Sequence, residues 1–127
     1  MEISRTSLPG IERRPKIQTY GAGRFTVAGT VYAGGVLVLP WGVVPWPATQ
    51  ISGMEEEALA LLLAHAADID VCLMGCGPIT LVPPPELRQR FKAAGLRVDA
   101  MTTASACRTY NVLMSEGRAV AAALIPV

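Results

Sequence analysis

The sequence predicts a three-layer α/β domain in which a mixed central β-sheet is flanked by helices and preceded by additional N-terminal β-hairpins. Three observations carry that expectation. Short β-rich runs punctuated by glycine fill the stretch from Ile17 to Leu39. From Ser52 onward, helical and strand-like patterns alternate. Two stretches, Val36–Leu39 and Arg118–Pro126, are largely or wholly apolar at consecutive positions, as strands covered on both faces are.

Residues 1–16 read as a flexible N-terminal arm, polar, charged and broken by Pro9, Gly10 and Pro15, and residues 17–127 as a single α/β domain. Ile17–Tyr20 ends at Gly21-Ala22-Gly23, Arg24–Val27 at Ala28-Gly29, and Thr30–Tyr32 at Gly34-Gly35, which gives a set of hairpins. Pro40-Trp41-Gly42 and Pro45-Trp46-Pro47 are expected to stop the sheet, because proline cannot donate to a ladder. Ser52-Gly53-Met54-Glu55 has the form of a capping box. The helix after it runs to about Ala67 and is apolar over most of its girth, so it should be well buried.

Val71–Met74 is a short strand that ends at Gly75-Cys76-Gly77-Pro78. Pro85 suits the first turn of a second helix, whose narrow apolar side carries Leu87, Phe91 and Ala94 and which Gly95 closes. Leu96–Met101 is the next strand. Thr102 or Thr103 caps a third helix that extends to about Glu116 and stops at Gly117. Cys107, Tyr110 and Met114 form its core stripe, and Arg118–Pro126 supplies the last strand.

Composition narrows the function classes. The chain has 127 residues, 11 basic and 10 acidic, for a net charge of +1. That balance does not fit a protein that binds nucleic acid through a basic field. The AVILMFWYC set makes up 51% and charged residues 17%, which excludes disorder for most of the chain and favours a buried sheet with some apolar surface left for a partner. No segment approaches the roughly 20 apolar residues of a membrane span, so direct membrane insertion is not expected. Three cysteines cannot all pair within one chain, and the N-terminal segment lacks the apolar core of a secretory signal. Both features point to a cytoplasmic protein with reduced thiols.

Catalytic signals are absent. His65 is the sole histidine and follows Leu61 and Leu62 by one turn, which fits a core or boundary residue. One histidine and cysteines without CxxC spacing do not make a zinc site, and neither a metal nor a cofactor is expected. The serine elbow of a hydrolase is missing. Gly75-Cys76-Gly77 follows a strand and Asp99 lies on the next one, a faint imitation of a dinucleotide fingerprint. The third glycine is lacking, however, and prolines delay the helix that should meet a pyrophosphate.

Two constellations remain. Parallel strands at Val71–Met74 and Leu96–Met101 would gather Gly75, Cys76, Gly77, Thr102, Thr103 and Ser105 at one edge, with Arg108 and Asn111 on the adjoining helix. That edge reads either as a small-anion site with a reactive Cys76, or as a tight turn with a packed cysteine and an arginine tied to Asp70 or Asp99. The second constellation is Trp41, Val43, Val44 and Trp46, with two of the chain's seven aromatics inside six residues. It reads either as a rigid protein-contact surface or as rings folded back onto the sheet.

Ile17-Gln18-Thr19-Tyr20-Gly21, Phe25-Thr26-Val27, Gly35–Pro40, Gly75-Cys76-Gly77 and Ala106-Cys107-Arg108-Thr109-Tyr110-Asn111 occur here in order. Together they resemble a family of small bacterial and archaeal α/β domains related to a mitochondrial respiratory complex I assembly factor and to an adipogenesis-associated domain protein. The resemblance covers Ile17 to Val127 and implies a three-layer fold with a mixed central sheet. It also implies a non-enzymatic interaction or assembly protein that works through a protein partner, a second copy of the chain being one candidate. The competing expectation is a domain that binds a small anion, or responds to redox state, at the Gly75–Gly77 edge. Many relatives carry an acidic residue and a glycine just before the Ala-Cys-Arg-Thr segment. Thr102-Thr103-Ala104-Ser105 stand there instead, so the resemblance transfers no acid–base residue to that place.

Overall fold

In the computed structural model, which describes residues 15–46 and 56–127, the chain forms two sheets and three α-helices. The first sheet is an antiparallel meander of β1 (Ile17–Gly21), β2 (Arg24–Val27) and β3 (Thr30–Ala33). Its second turn is the two-residue Ala28-Gly29, with φ of 51° and 84°. Positive φ at both positions matches the right-handed twist of the flanking strands, at some cost for the alanine.

The central sheet is mixed. It contains β4 (Gly35–Leu39), β5 (Gly42–Trp46), β6 (Val71–Gly75), β7 (Val98–Met101) and β8 (Val120–Leu124) in the order β5-β4-β8-β6-β7. β8 runs parallel to β6 and antiparallel to β4, and β6 runs parallel to β7. β4, β6 and β8 are buried at every position, as their continuous apolar runs predict. The capping-box residues Ser52–Glu55 lie outside the described residues, as do residues 1–14 of the expected arm.

One expectation about the sheet fails. The segment containing Pro45 does not end it but forms β5, paired with β4 from Gly35↔Trp46 to Leu39↔Gly42. Pro40-Trp41 is therefore a two-residue hairpin turn. β5 is one of the sheet's two edge strands, where a missing N–H deprives no neighbouring strand of a bond.

Helices α1 (Glu56–Ala64) and α2 (Pro85–Ala93) cover one face of the central sheet. α3 (Thr103–Ser115) and the three-stranded sheet cover the other. β8 explains how the layers approach. Its middle residues are three alanines, with Ala121 and Ala123 facing the α1/α2 layer and Ala122 facing α3. Alanine is a poor strand former, but at the centre of the sheet it leaves room for large neighbours on both sides. Trp41, Trp46 and Phe91 fill one layer, and Phe25 and Tyr110 the other, all buried. Burying a side chain such as Phe91 contributes about 1.5–3 kcal/mol.

Candidate functional site at the strand ends

β6 and β7 are parallel, so their carboxyl ends do lie together, and α3 begins beside them. The N-cap of α3 is Thr102, whose hydroxyl accepts from the Ser105 amide at 3.2 Å. The next residue, Thr103, is fully buried. Its hydroxyl donates to the Ile125 carbonyl at 2.7 Å and accepts from the Gly77 amide at 2.9 Å. Its own amide donates to the Gly77 carbonyl at 2.9 Å. One threonine thus stitches the β6 turn, the start of α3 and the exit of β8 together.

Gly75 lies against this knot. A Cβ there would come within 2.9 Å of Leu124 Cδ2, 3.0 Å of Thr103 Cα and 3.2 Å of Thr103 Oγ1. Gly77 takes a φ of +98° to return its amide to Thr103. The glycines are explained by close packing and turn geometry. The Thr103 and Ser105 amides, which a small anion at this edge would need, already have internal acceptors.

Cys76 is buried, and its one S–H has the Met74 and Leu81 carbonyls as acceptors, each 3.5 Å from Sγ. Burial pushes the Cys72 and Cys107 thiols up to about 12, against a slight opposing effect of a backbone hydrogen bond at Cys72 and of Arg108 at Cys107. Thiols so perturbed stay protonated and poorly nucleophilic at neutral pH.

Arg108 and Asn111 part company. Asn111 clamps β1 to α3, with Oδ1 accepting from the Ile17 amide at 3.0 Å and Nδ2 donating to the Ile17 carbonyl at 2.7 Å. Tyr110 adds a hydrogen bond to the Pro15 carbonyl. Arg108 is exposed and donates to Tyr20 Oη at 3.1 Å and to Ser105 Oγ at 3.5 Å. The expected ties to Asp70 or Asp99 are not made. Asp70 pairs with Arg118 at 3.6 Å and accepts from the Ala119 amide, whereas Asp99 lies 4.0 Å from Arg97. The sheet order is the reason: Asp70 precedes β6 next to the start of β8, far along the strands from the α3 N-terminus.

Of the two readings of the tryptophan segment, the structure takes the second: the rings fold back and do not form a contact surface. Trp41 and Trp46 are 2% and 1% exposed, while Val43 and Val44 are half-buried. The β4–β5 hairpin turns both indoles onto Ala58, Leu59 and Leu62 of α1, and Trp41 meets His65 edge-on at 4.9 Å. Exposed apolar side chains lie elsewhere, among them Ile79, Leu81 and Val82 on the loop after β6, which are 63%, 48% and 75% exposed. The signal for them was an apolar run caught between Pro78 and Pro83, which cannot become a buried strand.

Comparison with known proteins places this geometry. Residues 17–125 match the family model described as "Protein of unknown function (DUF498/DUF598)". The chain belongs to that family. A relative in Rhodobacter capsulatus, an uncharacterised protein, is 40% identical, with 94% of this chain and 90% of that one covered. Mouse NADH dehydrogenase [ubiquinone] 1 alpha subcomplex assembly factor 3 is 33% identical over 87% of the chain, which spans 60% of that factor's length. Among solved structures, an outer membrane protein of Bartonella henselae superposes with a TM-score of 0.83 at 35% identity, covering 90% of this chain and 96% of the other. The three-layer arrangement is thus shared with that solved structure. Among the described residues no helix is long and apolar enough to cross a membrane.

Proposed function

We propose that this member of the DUF498/DUF598 family is a non-enzymatic assembly domain that acts through contacts with a protein partner during construction of a respiratory NADH dehydrogenase. The geometric observation that supports the reading is the Thr103 knot. The strand-end edge, where an open α/β sheet usually keeps its ligand, is filled by α3 and has two of its helix amides bonded internally. Further support comes from the name of the mouse relative, whose similarity extends over 87% of the chain. The anion-binding or redox reading draws no comparable support, since the Cys76 thiol it would use is buried against the Met74 and Leu81 carbonyls.

The test is deletion of the gene in its source cell, followed by native-gel quantification of assembled NADH dehydrogenase. The expected result is loss of the full-size enzyme with accumulation of smaller subassemblies, reversed by a plasmid copy. Unchanged amounts of assembled enzyme would contradict the proposal.

A further inference from the structure

The β7 edge of the central sheet lies beside an apolar cleft. Phe91, Leu96, Val98 and Ala100 form the floor of a cavity of about 280 Å³ between α2 and β7, and Arg88 and Lys92 line it as well. The two cations stand four residues apart on α2, so they lie on one side of the helix. Neither has an ion-pair partner among the described residues.

The backbone of β7 completes the arrangement. Cys72 N–H donates to the Arg97 carbonyl and Cys76 N–H to the Met101 carbonyl, both at 2.8 Å. In a parallel pair this fixes the alternation: Arg97, Asp99 and Met101 address β6, and the peptide groups of Val98 and Ala100 point away from it. β7 ends the sheet order, so among the described residues these outward N–H and C=O groups have no strand beside them. Edge strands are usually blunted by charge, bulges or cover. Here the residues with outward backbone groups also send their side chains into the cleft floor.

We propose that the β7 edge takes an extended segment of a partner protein as a sixth strand, with alternating apolar side chains entering the cleft and a carboxylate meeting Arg88 and Lys92. This rests on the assembly reading and names the surface and partner chemistry for it. The β7 edge supplies main-chain hydrogen bonds, the apolar floor supplies pockets for alternate residues, and Arg88 and Lys92 select an acidic segment. A small amphipathic carboxylate would use the floor and the cations but leave the edge unpaired. The peptide is the occupant that engages all three.

A display library of random octapeptides, panned on the purified chain, tests this directly. Selected peptides should alternate apolar residues and be enriched in Asp and Glu. Binding of the best synthetic peptide should slow amide exchange at Val98 and Ala100. N-methylation of its edge-facing amides should weaken binding at least tenfold, and so should the Arg88→Glu/Lys92→Glu double variant, whose changes are exposed and spare the core. Three results would overturn the proposal: no peptide selected, peptides indifferent to both changes, or a cleft that binds octanoate and no peptide. Loss of NADH dehydrogenase assembly on gene deletion can survive any of them, so failure of this surface is distinguishable from failure of the assembly role.

Discussion

Replacing Thr103 by valine keeps the side-chain shape and removes one oxygen. That oxygen satisfies two buried groups at once, the Gly77 amide and the Ile125 carbonyl. A stranded buried donor or acceptor costs about 1–3 kcal/mol, with carbonyls at the lower end because they tolerate under-satisfaction better. The sum is about 2–4 kcal/mol, which for a domain of this size lowers Tm by roughly 6–20 °C. Thr103→Ser is the control. It retains both bonds, loses one methyl, and should cost about 1 kcal/mol. Urea unfolding of the three proteins, followed by tryptophan fluorescence, gives the free energies, with an unchanged slope showing that the unfolding reaction is the same. A valine variant as stable as wild type, or a serine variant as damaged as valine, would refute the claim that this hydroxyl holds the strand ends closed.

Other outcomes follow from neighbouring parts of the structure. Asn111→Ala should cost about 1–3 kcal/mol and raise hydrogen exchange in β1 and β2 before β6, since only the clamp on Ile17 is lost. Arg108→Ala should shift stability by less than about 1 kcal/mol, because its bonds are exposed; a loss of several kcal/mol would restore the structural tie to a carboxylate. Cys72 titrates near 12 in the folded chain and near 9.0 unfolded, so its burial stabilises the fold fully below pH 9. That contribution then declines toward pH 12 by about 1.4 kcal/mol per pH unit. The Cys72→Ala variant should show a correspondingly shallower alkaline decline.

Much of the architecture was legible because local signals and burial agree. The apolar runs at β4, β6 and β8, the Thr102 cap and the glycine stops each describe a short segment completely. β5 was not legible, because Pro45 and Pro47 read locally as breakers and only the sheet order shows that the strand is an edge. The same gap left Trp41 and Trp46 open between a contact surface and the core, since their burial depends on α1 folding over the hairpin. At the strand ends the sequence identified which residues meet but not what they do there. Gly75, Gly77, Thr102 and Thr103 do converge, yet a threonine that satisfies two backbone groups and one that offers its hydroxyl to a ligand are the same letter. The cleft beside β7 had no sequence signal of its own, since Phe91 and Ala100 look like ordinary core positions until the strand order puts β7 at an edge.

The most direct test of the account is complementation of the gene deletion with a chain altered at the strand-end edge. Ser105→Ala/Arg108→Ala changes side chains that a bound anion would use and leaves the Thr103 knot intact. The account predicts that this variant restores assembled NADH dehydrogenase to the wild-type level. A variant that folds with wild-type Tm but fails to restore the enzyme would contradict it, and would return the function to a ligand at the ends of β6 and β7.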